Sequence, residues 1–235
     1  MKRADYFLDF QKLEEFTNSS YWFGEKDKAN FKIEFLKQTY LNKPAKKFKY
    51  PVMLYLGNKK FSMKYELEDI LEMIKNGATK AETEYYNNHF NEHGNNLLKQ
   101  QFLNNFKAFT PCGIFYNRKS RVEIRKLNGI VMLQNNYEEI NEQQLQLIKD
   151  DKLTFAVFIL LDINRFVVLV KTTGMNSKNY KEFQKYVKTY YHNLLRENIL
   201  HETQINTTVY VPCDKNIYFD IHSNILSTKS NKIMH

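Results

Sequence analysis

Leu153-Thr154-Phe155-Ala156-Val157-Phe158-Ile159-Leu160-Leu161, followed after Asp162-Ile163-Asn164-Arg165 by Phe166-Val167-Val168-Leu169-Val170, is the stretch that decides the fold. The first run is apolar without alternation, as a central strand covered on both faces requires. Asp162 to Arg165 is a short turn, and the second run is the returning strand of a hairpin.

Working outward, Gly129-Ile130-Val131-Met132-Leu133 is a short strand. Residues 138–149 form a helix carrying Ile140, Leu147 and Ile148. Downstream, 177–197 is a long helix with Phe183, Val187, Tyr190, Tyr191 and Leu194 on one face. Thr207-Thr208-Val209-Tyr210-Val211 reads as the last strand. The succession over 129–211 is β-α-β-β-α-β, the split βαβ or ferredoxin-like arrangement. Both helices then cover one face of an antiparallel sheet and leave the other to a ligand or a second layer.

Upstream, Pro51 to Leu56 is a buried strand ended by Gly57-Asn58, and a helix over 65–76 is stopped by Gly77. Residues 78–105 are polar and helical, with a weak break at Gly94; 5–41 is helical with interruptions at Asn18-Ser19-Ser20 and Gly24. The expected class is therefore α+β, with a helical N-terminal extension over 1–50, a main domain over 51–225 and a C-terminal tail over 226–235.

The chain has 235 residues, 43% hydrophobic and 15% aromatic, enough for a packed core. Its 35 Lys and Arg against 26 Asp and Glu give a net charge of +9, and the pI is about 9.2. That excess favours a polyanionic partner, nucleic acid first. The bias toward Lys, Asn, Tyr, Ile and Phe is also what an AT-rich genome produces. Cys112 and Cys213 are far apart, which supports neither a disulfide framework nor a four-ligand zinc site. Met1 to Asp5 leads into no apolar stretch, and the longest apolar run, Phe155 to Leu161, is too short to cross a bilayer, so a cytoplasmic location with no membrane partner is expected.

A ferredoxin-like sheet invites two nucleic-acid readings. RNA-recognition domains need exposed aromatics on the two central strands; 129–133 has none and the third strand offers only Phe166. A polymerase palm instead holds two metal ions about 4 Å apart on clustered carboxylates. Residues i and i+2 of a strand share a face, so the expected pattern at the end of the first strand is Asp-x-Asp. The residues there are Gln134-Asn135-Asn136, and neutral amides cannot neutralise a pair of cations.

At this point a family resemblance emerges. Phe106-Lys107-Ala108-Phe109-Thr110-Pro111-Cys112-Gly113-Ile114-Phe115 resembles the signature of the VirE-associated primase-like N-terminal domain of Bacteroidetes, a branch of the archaeo-eukaryotic primase superfamily. Ile74-Lys75-Asn76-Gly77 resembles its upstream turn; Arg118, Lys119 and Arg121 its basic stretch; Asn128 to Leu133 its first palm strand; Val168-Leu169-Val170-Lys171 the end of its hairpin segment. The resemblance covers about residues 65–220 and implies a primase-palm fold. It also implies an Asp-x-Asp and a Ser-Pro-Ser-Gly-x-Gly-x-Lys segment, where this chain has Gln134-Asn135-Asn136 and Leu160 to Val167, and a Ser-Arg pair, where it has Asn206-Thr207. No family catalytic residue carries over, and no cofactor is expected.

A second basic region runs from Lys37 to Tyr65, with Lys43, Lys46, Lys47, Lys49, Lys59, Lys60 and Lys64, no acid, and interleaved Tyr40, Phe48, Tyr50, Tyr55 and Phe61. Lysines neutralise phosphates while aromatics stack unpaired bases; the competing reading is a lysine-rich loop beside core aromatics. Lys178, Lys181, Lys185 and Lys188 share one helical face and read as solvated. The nominated nucleic-acid-binding residues are Lys43, Lys46, Lys47, Lys49, Lys59, Lys60, Arg118, Lys119 and Arg121. The leading expectation is a catalytically inactive primase–polymerase-like protein of a mobile element or phage, binding single-stranded DNA or RNA, or a replication partner such as a helicase. One alternative is an active metal-dependent nucleotidyltransferase with acids relocated to Asp162, Asp214 or the Asp220/His222 pair. The other is a structural or interaction protein without a nucleic-acid role.

Overall fold

The computed structural model describes residues 49–56, 61–90, 96–118, 121–136, 140–161, 165–197, 199–227 and 233–234. The expected helical extension falls outside these residues apart from 49 and 50. Within them the chain is a mixed α/β protein of five helices and mainly antiparallel sheets. No helix among them is long and apolar enough to cross a membrane.

The deciding stretch forms β7 (Thr154–Ile159) and β8 (Arg165–Thr173), paired antiparallel. The other edge of β8 pairs antiparallel with β6 (Ile130–Asn136), which in turn carries β9 (His201–Glu202). The spatial order is β9-β6-β8-β7. With α4 (Glu142–Asp150) between β6 and β7 and α5 (Tyr180–Leu195) between β8 and β9, the elements succeed one another as β-α-β-β-α-β. The outer edge of β7 takes β11 (Tyr218–Phe219). The end of β8 takes the parallel β12 (Ile225–Ser227), paired with β13 (Ile233–Met234).

Both helices lie on one face. Tyr191 of α5 shares a 2.6 Å hydrogen bond with Thr154 Oγ1, and Tyr190 donates at 2.6 Å to Asp151, which follows α4 directly. Helix α4 starts on a capping box, Asn141 receiving Gln144 N–H and Gln144 returning the bond. The helix expected from 138 therefore begins at Glu142.

The opposite face is closed by a second layer. The register along β7–β8 slips between Thr154↔Val170 and Ala156↔Leu169, leaving Phe155 as a bulge residue. Directly paired residues share a face, so the slip reverses the parity of β7. Thr154 points at α5, while Phe155 and Phe158 both reach away from the helices. There Phe155 meets Tyr50 at 5.8 Å between ring centroids, and Phe158 meets Phe109 at 6.4 Å.

Tyr50 and Phe109 belong to the N-terminal layer, a sheet in the order β10-β3-β1-β2. Its strands are β1 (Pro51–Leu56), β2 (Phe61–Glu66), β3 (Ala108–Thr110) and β10 (Val209–Tyr210), all antiparallel. Val52 and Leu54 enter the shared core with Leu67, Ile70, Leu71 and Ile74 of α1 (Leu67–Lys75). Met53 and Tyr55 turn to the far face and pack with Ile114. Helices α2 (Lys80–Phe90) and α3 (Asn96–Asn105) hold a smaller aromatic cluster of Tyr86, Phe90, Phe102 and Phe106.

Two elements differ from expectation. The helix predicted from 65 starts at Leu67 because Phe61–Glu66 is a strand, with Met63 and Tyr65 buried and Ser62 and Lys64 exposed. The predicted last strand, 207–211, shrinks to Val209–Tyr210 and pairs with β3 in the other sheet. Its place beside β6 is taken by His201–Glu202, beyond which Gln184 and Thr203 donate to Met132 O at 3.0 and 3.1 Å.

Because Phe155 joins the two layers, Phe155→Ala should cost about 3–5 kcal/mol. Thermal unfolding followed by circular dichroism should fall by about 10 °C. Leu147→Ala, on the exposed side of α4, should leave the midpoint nearly unchanged.

Candidate nucleic-acid interface

Arg118 and Arg121 of the basic stretch lie on a two-stranded ribbon. Among the described residues, strands β4 (Gly113–Arg118) and β5 (Arg121–Leu127) pair only with each other, and Arg118↔Arg121 is their last pair. Ribbon and turn carry Arg118, Lys119, Arg121, Arg125 and Lys126 against one acid, Glu123. Lys119 falls outside the described residues.

Four consecutive β5 residues, Glu123, Ile124, Arg125 and Lys126, are exposed. Successive side chains of a strand point to opposite faces, so this part of β5 is open on both sides, while its partner β4 is buried at Ile114 and Phe115. Its root is fixed. Asn128 Nδ2 donates to Pro51 O and Pro111 O, its Oδ1 accepts from Ile130 N–H, and Tyr55 OH donates to Phe115 O at 3.1 Å. Gly113 has φ +152°, and a Cβ there would sit 2.2 Å from Lys126 O; only glycine lets β4 approach β5 at the root.

Lys49 lies just before the start of β1, two residues from the Pro51 carbonyl that Asn128 holds at the ribbon root. Glu66 accepts from the backbone N–H groups of Lys49 and Tyr50 at 2.7 and 2.6 Å, tying both to the start of β1. Tyr55, toward the other end of β1, lies about 20 Å away along the strand. Lys49 Nζ lies 5.3 Å from the Tyr50 ring, Tyr50 packs on Phe155, and Lys171 Nζ lies 5.4 Å from the Phe155 ring. Two lysines thus bracket two aromatics. Lys171 is 2% exposed and donates to Ile221 O at 3.0 Å. Burial, then the charge of Lys49, pulls its ammonium below the ordinary value, with Asp220 and Glu68 opposing. Of the other nominated residues, Lys43, Lys46, Lys47, Lys59 and Lys60 lie outside the described residues. Lys178, Lys181 and Lys185 are exposed on the outer side of α5 and Lys188 is half-buried. They belong to the other layer of the molecule.

Gln134 pairs with Val167 and so shares its face with Phe158, toward the N-terminal layer. Neighbouring Asn135 is buried. The two described candidates for relocated acids are engaged locally. Asp214 accepts from Ile159 N–H and Asn216 N–H at 2.8 and 2.9 Å, closing the end of β7 onto the following loop. Asp220 accepts from His222 N–H at 2.8 Å, the turn geometry short acidic side chains favour. Asp162 falls outside the described residues, among which no three His, Cys, Asp or Glu side chains form a metal-ligating group.

Cys112 is sealed at the junction of the layers, its sulfur 3.3 Å from Tyr180 OH. Tyr180 OH accepts from Gln184 Nε2, which also donates to Met132 O and Thr203 Oγ1. Burial pushes the thiol up to about 12 and the Tyr180 phenol well above its ordinary range, so neither ionises near neutrality. No protein-family model, curated protein or solved structure matches the chain.

The raised thiol value fixes an order of reactivity. At pH 8 the folded protein should titrate about one thiol with Ellman's reagent, the half-buried Cys213, and two in guanidinium. Rapid labelling of Cys112 in the native state would contradict its sealed position.

Proposed function

We propose that this chain is a primase-palm-like protein of a mobile element or phage that binds single-stranded nucleic acid and carries out no nucleotidyl transfer. The observation that carries the reading is the basic ribbon, exposed on both sides of β5 and anchored at a glycine root. Lys and Arg on such a ribbon neutralise phosphates without reading sequence, and release of counterions supplies the affinity. The β-α-β-β-α-β succession and its strand order are those of a ferredoxin-like or palm core. Gln134, on the face where a palm holds its metals, offers an amide that leaves divalent charge uncompensated.

Binding of a labelled single strand to the full-length chain tests this, followed by fluorescence anisotropy. Affinity should fall about tenfold or more between roughly 50 and 200 mM salt. Arg125→Glu with Lys126→Glu should weaken binding and lower the slope of log K against log salt by about 2. Absence of binding at low salt, or binding indifferent to both salt and the double substitution, would overturn the reading. Primer extension with Mg²⁺ or Mn²⁺ and nucleoside triphosphates should stay at background; extension above background would overturn the inactive assignment.

A further inference from the structure

A hollow beside the root of the ribbon has the chemistry to hold a base. In the N-terminal sheet the register sets Tyr55 opposite Ala108 and Ala108 opposite Tyr210. The three therefore form one row on one face, large–small–large. The outer strands of such a row lie about 10 Å apart. The small Ala108 leaves a gap between the two rings, and stacking contacts of about 3.5–4 Å on each side of a flat ring fit that span. Gln100, Leu103 and Asn104 of α3, with Phe106 and Thr208, complete the lining of a cavity of about 250 Å³. That is smaller than the roughly 300–1,000 Å³ of pockets for drug-sized ligands, which suits one planar ring system and not a nucleoside triphosphate.

The lining carries no formal charge. Burial, then Tyr86, pushes the Tyr210 phenol above its ordinary value, so it stays neutral. Gln100 Nε2 donates to Asn104 Oδ1 at 3.1 Å. Each of these two lining amides keeps a further donor or acceptor, the kinds of group a base edge can pair with. Tyr55 belongs to both features, lining the hollow while its hydroxyl holds Phe115 at the ribbon root. The ribbon and the uncharged aromatic slot are thus joined through Tyr55, and together they offer what phosphates and an unpaired base demand.

We infer that the Tyr55–Ala108–Tyr210 hollow is a base-binding subsite that takes one unpaired purine base of a strand whose phosphates run along the β4–β5 ribbon. The inference rests on the nucleic-acid reading and adds to it a place where the base is held.

The test compares an oligodeoxyadenylate strand, an abasic strand of the same length and free adenosine on the full-length chain. The base-bearing strand should bind about tenfold more tightly than the abasic one, the effect of a single stacked base. Gln100→Ala with Asn104→Ala, on the accessible side of α3 where alanine favours the helix, should bring the two strands within about twofold of each other. Thr208→Trp, which fills the hollow, should do the same, and the abasic strand should bind unchanged in both variants. Arg125→Glu with Lys126→Glu should weaken both strands in parallel. Equal binding of the two strands by the wild type, or discrimination that survives both pocket variants, would overturn the subsite and leave the ribbon reading standing. Failure of the wild type to bind either strand would overturn the ribbon reading itself. Free adenosine bound more tightly than the strand would assign the hollow to a mononucleoside and overturn the strand inference.

Discussion

Phe155 is the residue on which the two layers depend. A strand with unbroken alternation would send Phe155 and Phe158 to opposite faces. The slip between Thr154 and Ala156 frees Phe155 from that parity, so both rings reach toward the N-terminal sheet while Thr154 keeps its hydroxyl on Tyr191. Each buried ring contributes about 2–3 kcal/mol. More important is what they touch: Tyr50 precedes β1 and Phe109 is the centre of β3, so one bulge sets where the whole N-terminal layer sits.

With that layer in place, the far face of the N-terminal sheet is the one that carries the ribbon. Val52 and Leu54 are committed to the core, which turns Met53 and Tyr55 outward beneath Ile114. Strand β4 lies over them, and β5, with no further strand beyond it among the described residues, is exposed from Glu123 to Lys126. The charged residues are therefore presented by the same packing that closes the core. Meanwhile the face covered by the N-terminal layer holds Gln134 near one end and Lys171 near the other.

The hairpin of β7 and β8 was legible because runs of Val, Ile, Leu and Phe admit few alternatives to a strand covered on both faces. Helix α5 was legible from Phe183, Val187 and Tyr191, and the end of α1 from Gly77, whose φ of +68° is the left-handed stop the sequence suggested. Strand β2 could have been read from the alternation of Ser62, Met63, Lys64 and Tyr65. The ribbon had a weaker signal: Val122 and Ile124 alternate with Glu123 and Arg125, yet the cluster at Arg118, Lys119 and Arg121 stood out as charge and hid the period of two. Strand β9, at two residues, has no pattern to read; it exists because α5 returns the chain to the edge of β6.

The sequence by itself determined the local elements with strong periodicity, the basic excess, and the amides at Gln134 to Asn136. Each depends on near neighbours or on composition, so the order of residues is enough. Tertiary structure alone decided that 209–210 joins β3 and not β6, that the ribbon root meets β1 at both ends through Asn128 on Pro51 and Tyr55 on Phe115, and that Tyr55, Ala108 and Tyr210 stand in one row. Those outcomes are set by strand register between distant segments. Register follows from which faces must be buried together, a property of the whole packed chain that no local stretch encodes.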